Sequence, residues 1–166
     1  MEASVSGQNA DHRETGLLQL VTFHIADDEF GVDILKVQEI IRTMEITRVP
    51  RAPEFVEGVI NLRGKVIPIL SLRRRFGIEP REFDSQTRII VVEIAGMIVG
   101  FVVDGVSEVL RIGADTVEDP PAVVSGVDSE YISGVGKLED RLLILLDLNR
   151  LLSTEEHATL THSVQQ

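Results

Sequence analysis

The chain has 166 residues, 43% of them hydrophobic, and it carries 16 Lys and Arg against 27 Asp and Glu, a formal net charge of −11. This length is typical of one domain or of two small modules. The absence of cysteine excludes disulfide frameworks, thiolate metal sites and cysteine nucleophiles, and the negative charge opposes binding to nucleic-acid phosphates.

Both chain ends are polar and aperiodic. Residues 1–16 lack the basic leader and apolar segment of a signal peptide and are predicted to form a flexible tail, as are residues 153–166. Between them the longest apolar run, Met97–Val103, has seven residues, whereas a membrane helix needs roughly 18. No direct membrane insertion is therefore expected.

The remainder is predicted to consist mostly of strands, because Val and Ile together number 37 against 17 Leu and β-branched residues favour extended backbone. In chain order the predicted strands are Leu17–Ile25, Glu29–Val32, Val37–Arg42, Val59–Leu62, Val66–Leu70, Arg88–Ile94, Ile98–Val103, Ser107–Arg111 and Leu142–Asp147. The predicted turns are Ala26–Asp28, Arg63–Lys65, Ala95–Met97 and Gly134–Lys137. A single helical turn is predicted at Pro53–Val56, and short helices are predicted at Ser71–Phe76 and Leu148–Glu156. Many short strands at this spacing indicate a sandwich or barrel.

An internal repeat divides this region into two copies. The pattern of Gly31–Ile40 recurs 69 positions later as Gly100–Val109, and that of Gly58–Leu72 recurs 76 positions later as Gly134–Leu148. The repeat predicts two β modules, at about residues 17–80 and 86–152, with one strand available for exchange between them. Each copy is small for an independent domain, so the two are expected to share a core.

The residues offer little catalytic chemistry. The chain contains no G-x-S-x-G, no G-x-x-x-x-G-K-[ST] and no G-x-G-x-x-G. Three of its four histidines lie in the polar ends, so neither a Ser-His-Asp triad nor a histidine metal site is supplied. His24 is interpreted as a packed or edge residue of a strand, and Tyr131 as a packed residue. No catalytic residue, metal ligand or cofactor is predicted.

Positive charge is concentrated in residues 42–88, with 10 basic and 6 acidic side chains (10 − 6 = +4), whereas the rest carries 6 − 21 = −15. This segment is either a solvated face of mixed charge or a docking surface for an acidic partner. A barrel that binds an acidic ligand or RNA through it is an alternative, but Phe55, Phe76 and Phe83 are not interleaved with its arginines as base stacking requires.

Two features stand out among the predicted strands. A charged turn at Asn61–Lys65 precedes Pro68, and proline within a strand indicates an edge or a bulge. Glu39 stands in a mainly apolar strand, where simple alternation predicts that it shares a face with Val37. A salt bridge between Arg63 and Glu39 would satisfy both charges.

The sequence resembles the CheW family of chemotaxis coupling proteins in three motifs that occur in order, Phe30–Ile40, Gly58–Leu72 and Gly100–Val109. The resemblance covers about residues 17–152. It implies an all-β fold with a few short helices, built from two tandem SH3-like five-stranded β-barrels packed around a shared core. The repeat found above agrees with this expectation.

The resemblance also implies a function. It is that of a non-enzymatic adaptor that couples chemoreceptors, the methyl-accepting chemotaxis proteins, to the histidine kinase CheA. The implied partners are the cytoplasmic hairpin tip of the receptor and the regulatory domain of CheA, with no nucleic acid. The expected location is cytoplasmic, at receptor arrays on the inner face of the cytoplasmic membrane. An adaptor of another chemosensory pathway, for twitching or gliding motility, is the alternative.

Site residues follow from the same resemblance. The implied receptor-binding groove between the barrels contains Val37, Glu39, Arg63, Ile89, Val99, Gly100 and Val106. Arg63 matches the turn arginine of the family, which holds Glu39 and shapes the groove, whereas Arg88 stands where relatives can have an apolar residue. The implied kinase contacts fall on the loop Thr47–Pro53 and on Glu118–Val124, and the residues assigned to them are Val49, Pro50, Pro53, Glu118 and Val123.

Overall fold

Eleven strands dominate the computed structural model, which describes residues 16–119 and 131–152 together with Glu156 and Leu160. The strands are β1 (Leu17–Ile25), β2 (Asp28–Asp33), β3 (Val37–Arg42), β4 (Val56–Leu62), β5 (Lys65–Ser71), β6 (Arg88–Ile94), β7 (Met97–Val103), β8 (Gly105–Gly113), β9 (Val117–Glu118), β10 (Ile132–Lys137) and β11 (Leu142–Leu146). A short helix, α1 (Leu72–Arg75), follows β5, and 3-10 turns cover Ile34–Lys36, Ala114–Thr116 and Leu148–Arg150. The prediction of an all-β fold with a few short helices is confirmed.

Every predicted strand forms, and the single helical turn predicted at Pro53–Val56 is present. Pro53–Val56 makes a single turn, in which the Val56 N–H donates to the Pro53 carbonyl at 3.0 Å, and Val56 then begins β4. The helix predicted at Leu148–Glu156 begins as the 3-10 turn Leu148–Arg150, and Glu156 is helical, but residues 153–155 lie outside the described residues. The helix predicted at Ser71–Phe76 is present as α1, where the Ser71 hydroxyl accepts a hydrogen bond from the Arg74 N–H at 3.2 Å.

The prediction of a turn at Gly134–Lys137 is wrong, because this segment lies in β10. Its glycines weaken the strand pattern, but they allow a close approach of neighbouring backbone. A Cβ on Gly134 would lie 2.7 Å from Val117 Cγ1 and 3.1 Å from the Glu118 carbonyl oxygen, in the unpredicted strand β9. Gly134 therefore marks tight strand packing and not a turn.

The strands form two sheets, each of which mixes both halves of the chain. Sheet 1 has the order β8-β1-β2-β11-β10-β9 and sheet 2 has the order β3-β6-β7-β5-β4. The expected modules, residues 17–80 and 86–152 with one strand exchanged, do not match this membership. The hairpin β1–β2 of the first half joins sheet 1, and the hairpin β6–β7 of the second half joins sheet 2.

The repeat explains this arrangement, since corresponding strands occupy corresponding places in the two sheets. Strands β3, β6, β7, β5 and β4 of sheet 2 correspond to β8, β1, β2, β11 and β10 of sheet 1. Even the β-bulges recur. Gln38 is unpaired between Val37 and Glu39, and Ser107, 69 positions later, is unpaired opposite Thr22 and Phe23. Each copy thus gives its first hairpin to the sheet of the other.

The core has three parts. A large shared core is formed by both sheets, and in it the Phe23 ring of β1 lies 5.8 Å from the Phe101 ring of β7, centroid to centroid. Two smaller cores belong to single sheets, with Leu20, Ile112, Leu143 and Leu145 in sheet 1 and Ile60, Ile67, Ile69, Ile89 and Val91 in sheet 2. This is the predicted pair of small β-barrels around a shared core.

The predicted C-terminal tail is only partly described, and one of its residues belongs to the core. Leu160 is 2% exposed and packs in the shared core. Glu156 accepts two hydrogen bonds from Arg75, at 2.6 and 2.9 Å. Burial of an apolar side chain explains why this part of the segment is not a free tail. The prediction of an N-terminal tail falls on residues 1–16, of which 1–15 lie outside the described residues.

Candidate functional site

Strand β3 lies at the edge of sheet 2 and carries two of the predicted site residues. Val37 pairs with Val92, which is buried in the shared core, whereas Glu39 pairs with Val91, which belongs to the smaller core of sheet 2. Because Val91 and Val92 are adjacent on one strand, their partners face opposite sides. The prediction that Val37 and Glu39 share a face is therefore wrong, since the bulge at Gln38 shifts the alternation by one residue.

The predicted bridge between Arg63 and Glu39 is present. Arg63 Nη2 donates to Glu39 Oε2, and the two side chains are 68% and 32% exposed. Arg63 lies in the two-residue turn between β4 and β5 with φ +53°, followed by Gly64 with φ +88°, which is the backbone of a tight hairpin turn. A pair this exposed contributes about 0–1 kcal/mol to stability. Its effect is to fix the position of the Glu39 carboxylate.

The other predicted groove residues divide into surface and core positions. Val37 and Val106 are partly buried and pack against the shared core, one from each sheet. Ile89 and Val99 are fully buried, and Gly100 is buried where a Cβ would lie 2.8 Å from both Ile69 Cδ1 and Ile89 Cγ2. These three residues can shape a groove from beneath, but their side chains are not available at its surface.

The bulge brings different residues beside Val37. Ile40 pairs with Ile90, and Arg42 pairs with Arg88, both on the face of β6 that carries Val92. Ile40 is 40% exposed, Arg42 is exposed and Arg88 is half-buried. We call Val37, Ile40, Arg42 and Arg88 the groove strip, because they line the margin of the shared core along the edge of sheet 2. Simple alternation misses Ile40 and Arg42, because the bulge that turns them to this face leaves no mark in the sequence pattern.

A counterpart of the Arg63–Glu39 bridge occurs in sheet 1, and sequence reasoning missed it. Arg141, just before β11, donates from Nε to Glu29 Oε1 at 2.6 Å, from Nη2 to Glu108 Oε2 at 3.1 Å and from Nη1 to Asp140 Oδ1 at 3.0 Å. The carboxylates of Glu29, first, and of Asp140 outweigh burial and raise the pKa of Arg141 above its usual value. Glu108 corresponds to Glu39 in the repeat, so each edge glutamate is held by an arginine from a hairpin turn.

A second electrostatic cluster joins parts of both halves around Asp104. Its carboxylate accepts from Arg73 Nε at 3.0 Å, from Arg73 Nη2 at 2.7 Å and from the Ala26 N–H at 2.7 Å. Burial favours the neutral acid, but these hydrogen bonds outweigh it and hold the pKa of Asp104 below its usual value. The cluster connects the β1–β2 turn, α1 and the start of β8.

The residues assigned to kinase contact that the structure describes lie in the loop between β3 and β4 and in β9, the outermost strand of sheet 1. The loop with Val49, Pro50 and Pro53 leads from β3 to β4, and it is fastened by two 2.8 Å backbone hydrogen bonds between Thr47 and Val59. Glu118 is exposed in β9 and pairs with Lys137 at 3.2 Å. The remaining residue assigned to this contact, Val123, lies outside the described residues.

The described ranges also limit other kinds of site. Within them, no group of three or more His, Asp or Glu side chains is arranged to bind a metal ion. None of their helices has the length and apolar character needed to cross a membrane. The features that remain are surfaces, namely the edge strand β3, the groove strip and the loop that Thr47 fastens to β4.

Comparison with known proteins relates this chain to a protein family. Residues 19–156 match the family model described as CheW-like domain. The chain is 41% identical over 145 residues to the chemotaxis protein CheW of Klebsiella aerogenes, with 87% of each chain covered, and 36% identical over 154 residues to that of Helicobacter pylori, with 93% of this chain and 92% of that one covered.

A solved structure extends the likeness to the fold. The crystal structure of the scaffolding protein TtCheW from Thermoanaerobacter tengcongensis matches with a TM-score of 0.78 and 40% sequence identity, and it covers 84% of this chain and 94% of that one. This agrees with two SH3-like barrels around a shared core. The family is one of scaffolds and adaptors and not of enzymes. With its family model, relatives and fold in agreement, the chain belongs to the CheW family of chemotaxis proteins.

Proposed function

We propose that the protein is a coupling adaptor that holds the cytoplasmic hairpin tip of a chemoreceptor and the regulatory domain of the histidine kinase CheA. Membership of the CheW family supports a contact function in chemotaxis signalling. The observation that carries the receptor contact is the bridge between Arg63 and Glu39, which fixes an acidic side chain on the edge strand β3, whose opposite face carries the partly exposed apolar side chains Val37 and Ile40.

The receptor contact rests on the face of the shared core that β3 leaves open. Val37 is partly buried there and Ile40 is 40% exposed, so an apolar stripe of a helix would remove both from water. This is the helix-in-groove mode of recognition. Val106 offers the corresponding position on sheet 1, and the buried residues Ile89, Val99 and Gly100 set the shape beneath.

The kinase contact uses other surfaces, so that both partners bind at once. The loop with Val49, Pro50 and Pro53 is tied to β4 through Thr47 and presents a fixed shape. The segment of Glu118 and Val123 provides the second contact. Signal passes only if the two receptor states make different contacts with the adaptor, since equal affinity shifts no equilibrium. Bound to its partners, the protein is recruited to receptor arrays at the inner face of the cytoplasmic membrane.

Binding measurements with Arg63→Ala test the proposal. Arg63 is exposed and its bridge adds little stability, so the variant is expected to remain folded. Loss of the bridge frees Glu39, and affinity for a receptor cytoplasmic hairpin fragment should fall about tenfold, which corresponds to roughly 1.4 kcal/mol. Affinity for the CheA regulatory domain should stay unchanged. Titration calorimetry with each partner measures both.

The matched control is Lys65→Ala, which removes an exposed cation from the same hairpin. Unlike Arg63, Lys65 forms no ion pair with any of the described residues. It should bind receptor like the unmodified protein. Equal receptor affinity of the Arg63→Ala variant and the unmodified protein would contradict the groove. Binding to neither partner by the unmodified protein would overturn the coupling function itself.

A further inference from the structure

The groove strip ends in two arginines that face each other across neighbouring strands. Arg42 is the last residue of β3, and it pairs directly with Arg88, the first residue of β6. Side chains at such paired positions lie on one face about 5 Å apart, and like charges there are destabilising. Replacing either arginine by an acidic or neutral residue would remove this repulsion and make the sheet more stable.

Neither arginine has an acidic partner in the part of the chain that the structure describes. Arg88 Nη1 donates to the carbonyl oxygens of Ser85 at 2.9 Å and Thr87 at 2.8 Å, and Arg42 is in no ion pair. Other arginines of the same sheet region behave differently, since Arg63 and Arg73 each bind a carboxylate. Two positive charges therefore remain uncompensated at this end of the groove strip.

The second copy of the repeat shows what the position looks like without this pair. Arg42 and Arg88 correspond to Arg111 on β8 and Gln19 on β1, which pair with each other in sheet 1. There a single arginine faces a neutral side chain, so no repulsion arises. The double arginine is thus not a requirement of the barrel, since the same barrel position tolerates its absence.

We propose that Arg42 and Arg88 determine specificity by binding an acidic side chain on the receptor helix that occupies the groove. This inference rests on the proposed function and adds the chemistry of the partner. A carboxylate between two guanidinium groups would replace their repulsion with two charge-assisted hydrogen-bonding contacts. The apolar part of the same helix covers Val37 and Ile40.

The spacing of the strip sets the sequence of that helix. The partners of the groove strip on β6 are Val92, Ile90 and Arg88, which are two residues apart and so about 6.6 Å along the strand. Four residues of an α-helix span about 6 Å. A helix that runs along β3 and places apolar residues on Val37 and Ile40 therefore reaches Arg42 and Arg88 one turn further along. The fitting segment has two apolar residues at a spacing of one turn, followed or preceded one turn away by Asp or Glu.

The test compares Arg42→Gln and Arg88→Gln with Arg111→Gln as a matched control, because Arg111 is the exposed counterpart of Arg42 and its change alters net charge equally. Affinity for a receptor hairpin fragment, measured by titration calorimetry between 50 and 300 mM salt, should fall about 3- to 10-fold for either variant at low salt and less at high salt. Arg111→Gln should change it less than about twofold.

A charge exchange makes the test sharper. Arg42→Glu should weaken binding further, and a fragment with Lys in place of one acidic residue near its tip should recover affinity for this variant. The assignment would be overturned if Arg42→Gln and Arg111→Gln had equal effects on receptor affinity, or if no Lys-containing fragment recovered binding to Arg42→Glu. The coupling function would still stand in that case if Arg63→Ala weakened receptor binding. Loss of RNA binding by Arg42→Gln with receptor affinity unchanged would also overturn it, in favour of a phosphate ligand.

Discussion

Among the described residues, the carboxylate of Asp104 makes the most enclosed ion pair, with Arg73, and 13% and 16% of the two side chains are exposed. It also accepts from the Ala26 N–H, so one carboxylate holds the β1–β2 turn to α1. Asp104→Asn leaves a mostly buried guanidinium without a counter-charge, and we expect a loss of about 2–3 kcal/mol in the free energy of unfolding. Urea denaturation measures this loss. Glu118→Gln, which breaks an exposed pair with Lys137, is the control and should change stability by less than about 0.5 kcal/mol.

The same residue predicts a pH dependence. The pKa of Asp104 is lower in the folded chain than the usual 3.8, so its ionised form stabilises folding above the unfolded pKa and this contribution is lost as the pH falls through the folded pKa. The difference in stability between the unmodified protein and Asp104→Asn should be largest above about pH 5 and shrink below about pH 4. A difference that is independent of pH from 3 to 7 would contradict the ion pair as its source.

At the scale of elements, Gly58 in β4 is the residue that lets the loop from β3 fasten to the sheet. Its φ is +150°, and a Cβ there would lie 2.3 Å from the Thr47 carbonyl oxygen, which accepts from the Val59 N–H. Gly58→Ala should destabilise the protein by about 2–4 kcal/mol, because it adds backbone strain to a clash with main chain. Thermal and urea unfolding measure the effect.

Gly64 provides the matched control for this change. It also has a positive φ, +88°, but a Cβ there would have no atom within 4 Å. Gly64→Ala should therefore cost only about 1 kcal/mol, the strain alone. Equal losses for the two variants would show that the close approach of Thr47 contributes nothing. A folded Gly58→Ala protein that binds CheA less tightly than Gly64→Ala would link the fastened loop to the kinase contact.

Two of the features that sequence reasoning misjudged, the face of Glu39 and the segment Gly134–Lys137, have a common reason. The strands were predictable because the alternation of apolar residues along the sequence reflects which side chains are buried. The bridge between Arg63 and Glu39 was predictable from their opposite charges and from the turn sequence around Arg63. The bulge at Gln38 leaves no mark in the alternation, so Glu39 was placed on the wrong face and Ile40 was missed. Likewise Gly134 looks like a turn residue until the neighbour β9 is known. In both places a contact between distant segments decides the local structure.

At the scale of the whole molecule, the reciprocal exchange of hairpins makes the two copies interdependent. In the first half, β1 and β2 pair with each other, but their outer neighbours β8 and β11 come from the second half. The edge strand β3 is paired only to β6, also from the second half. Linear order along the chain predicts two modules, whereas the hydrogen bonds join each half to the other.

This interdependence predicts that the halves fold together. Fragments of residues 1–84 and 85–166 each contain all five strand types of one barrel, so each could in principle close without exchange. A barrel closed in this way would expose its face of the shared core, including Phe23 and Phe30 in one case and Val92 and Phe101 in the other. Because small domains lack the buried area to offset chain entropy, we expect each fragment alone to be largely unfolded.

Mixing the two fragments should then restore the native fold as a 1:1 complex. Circular dichroism and amide NMR spectra would show a folded protein only in the mixture, and the complex should bind the receptor fragment. The control is the intact chain cleaved in its exposed linker near residue 84, which has the same covalent break but starts from the folded state. A dispersed NMR spectrum from either fragment alone would mean that this copy folds on its own core. The exchanged hairpins would then connect the two barrels but would not be required for folding.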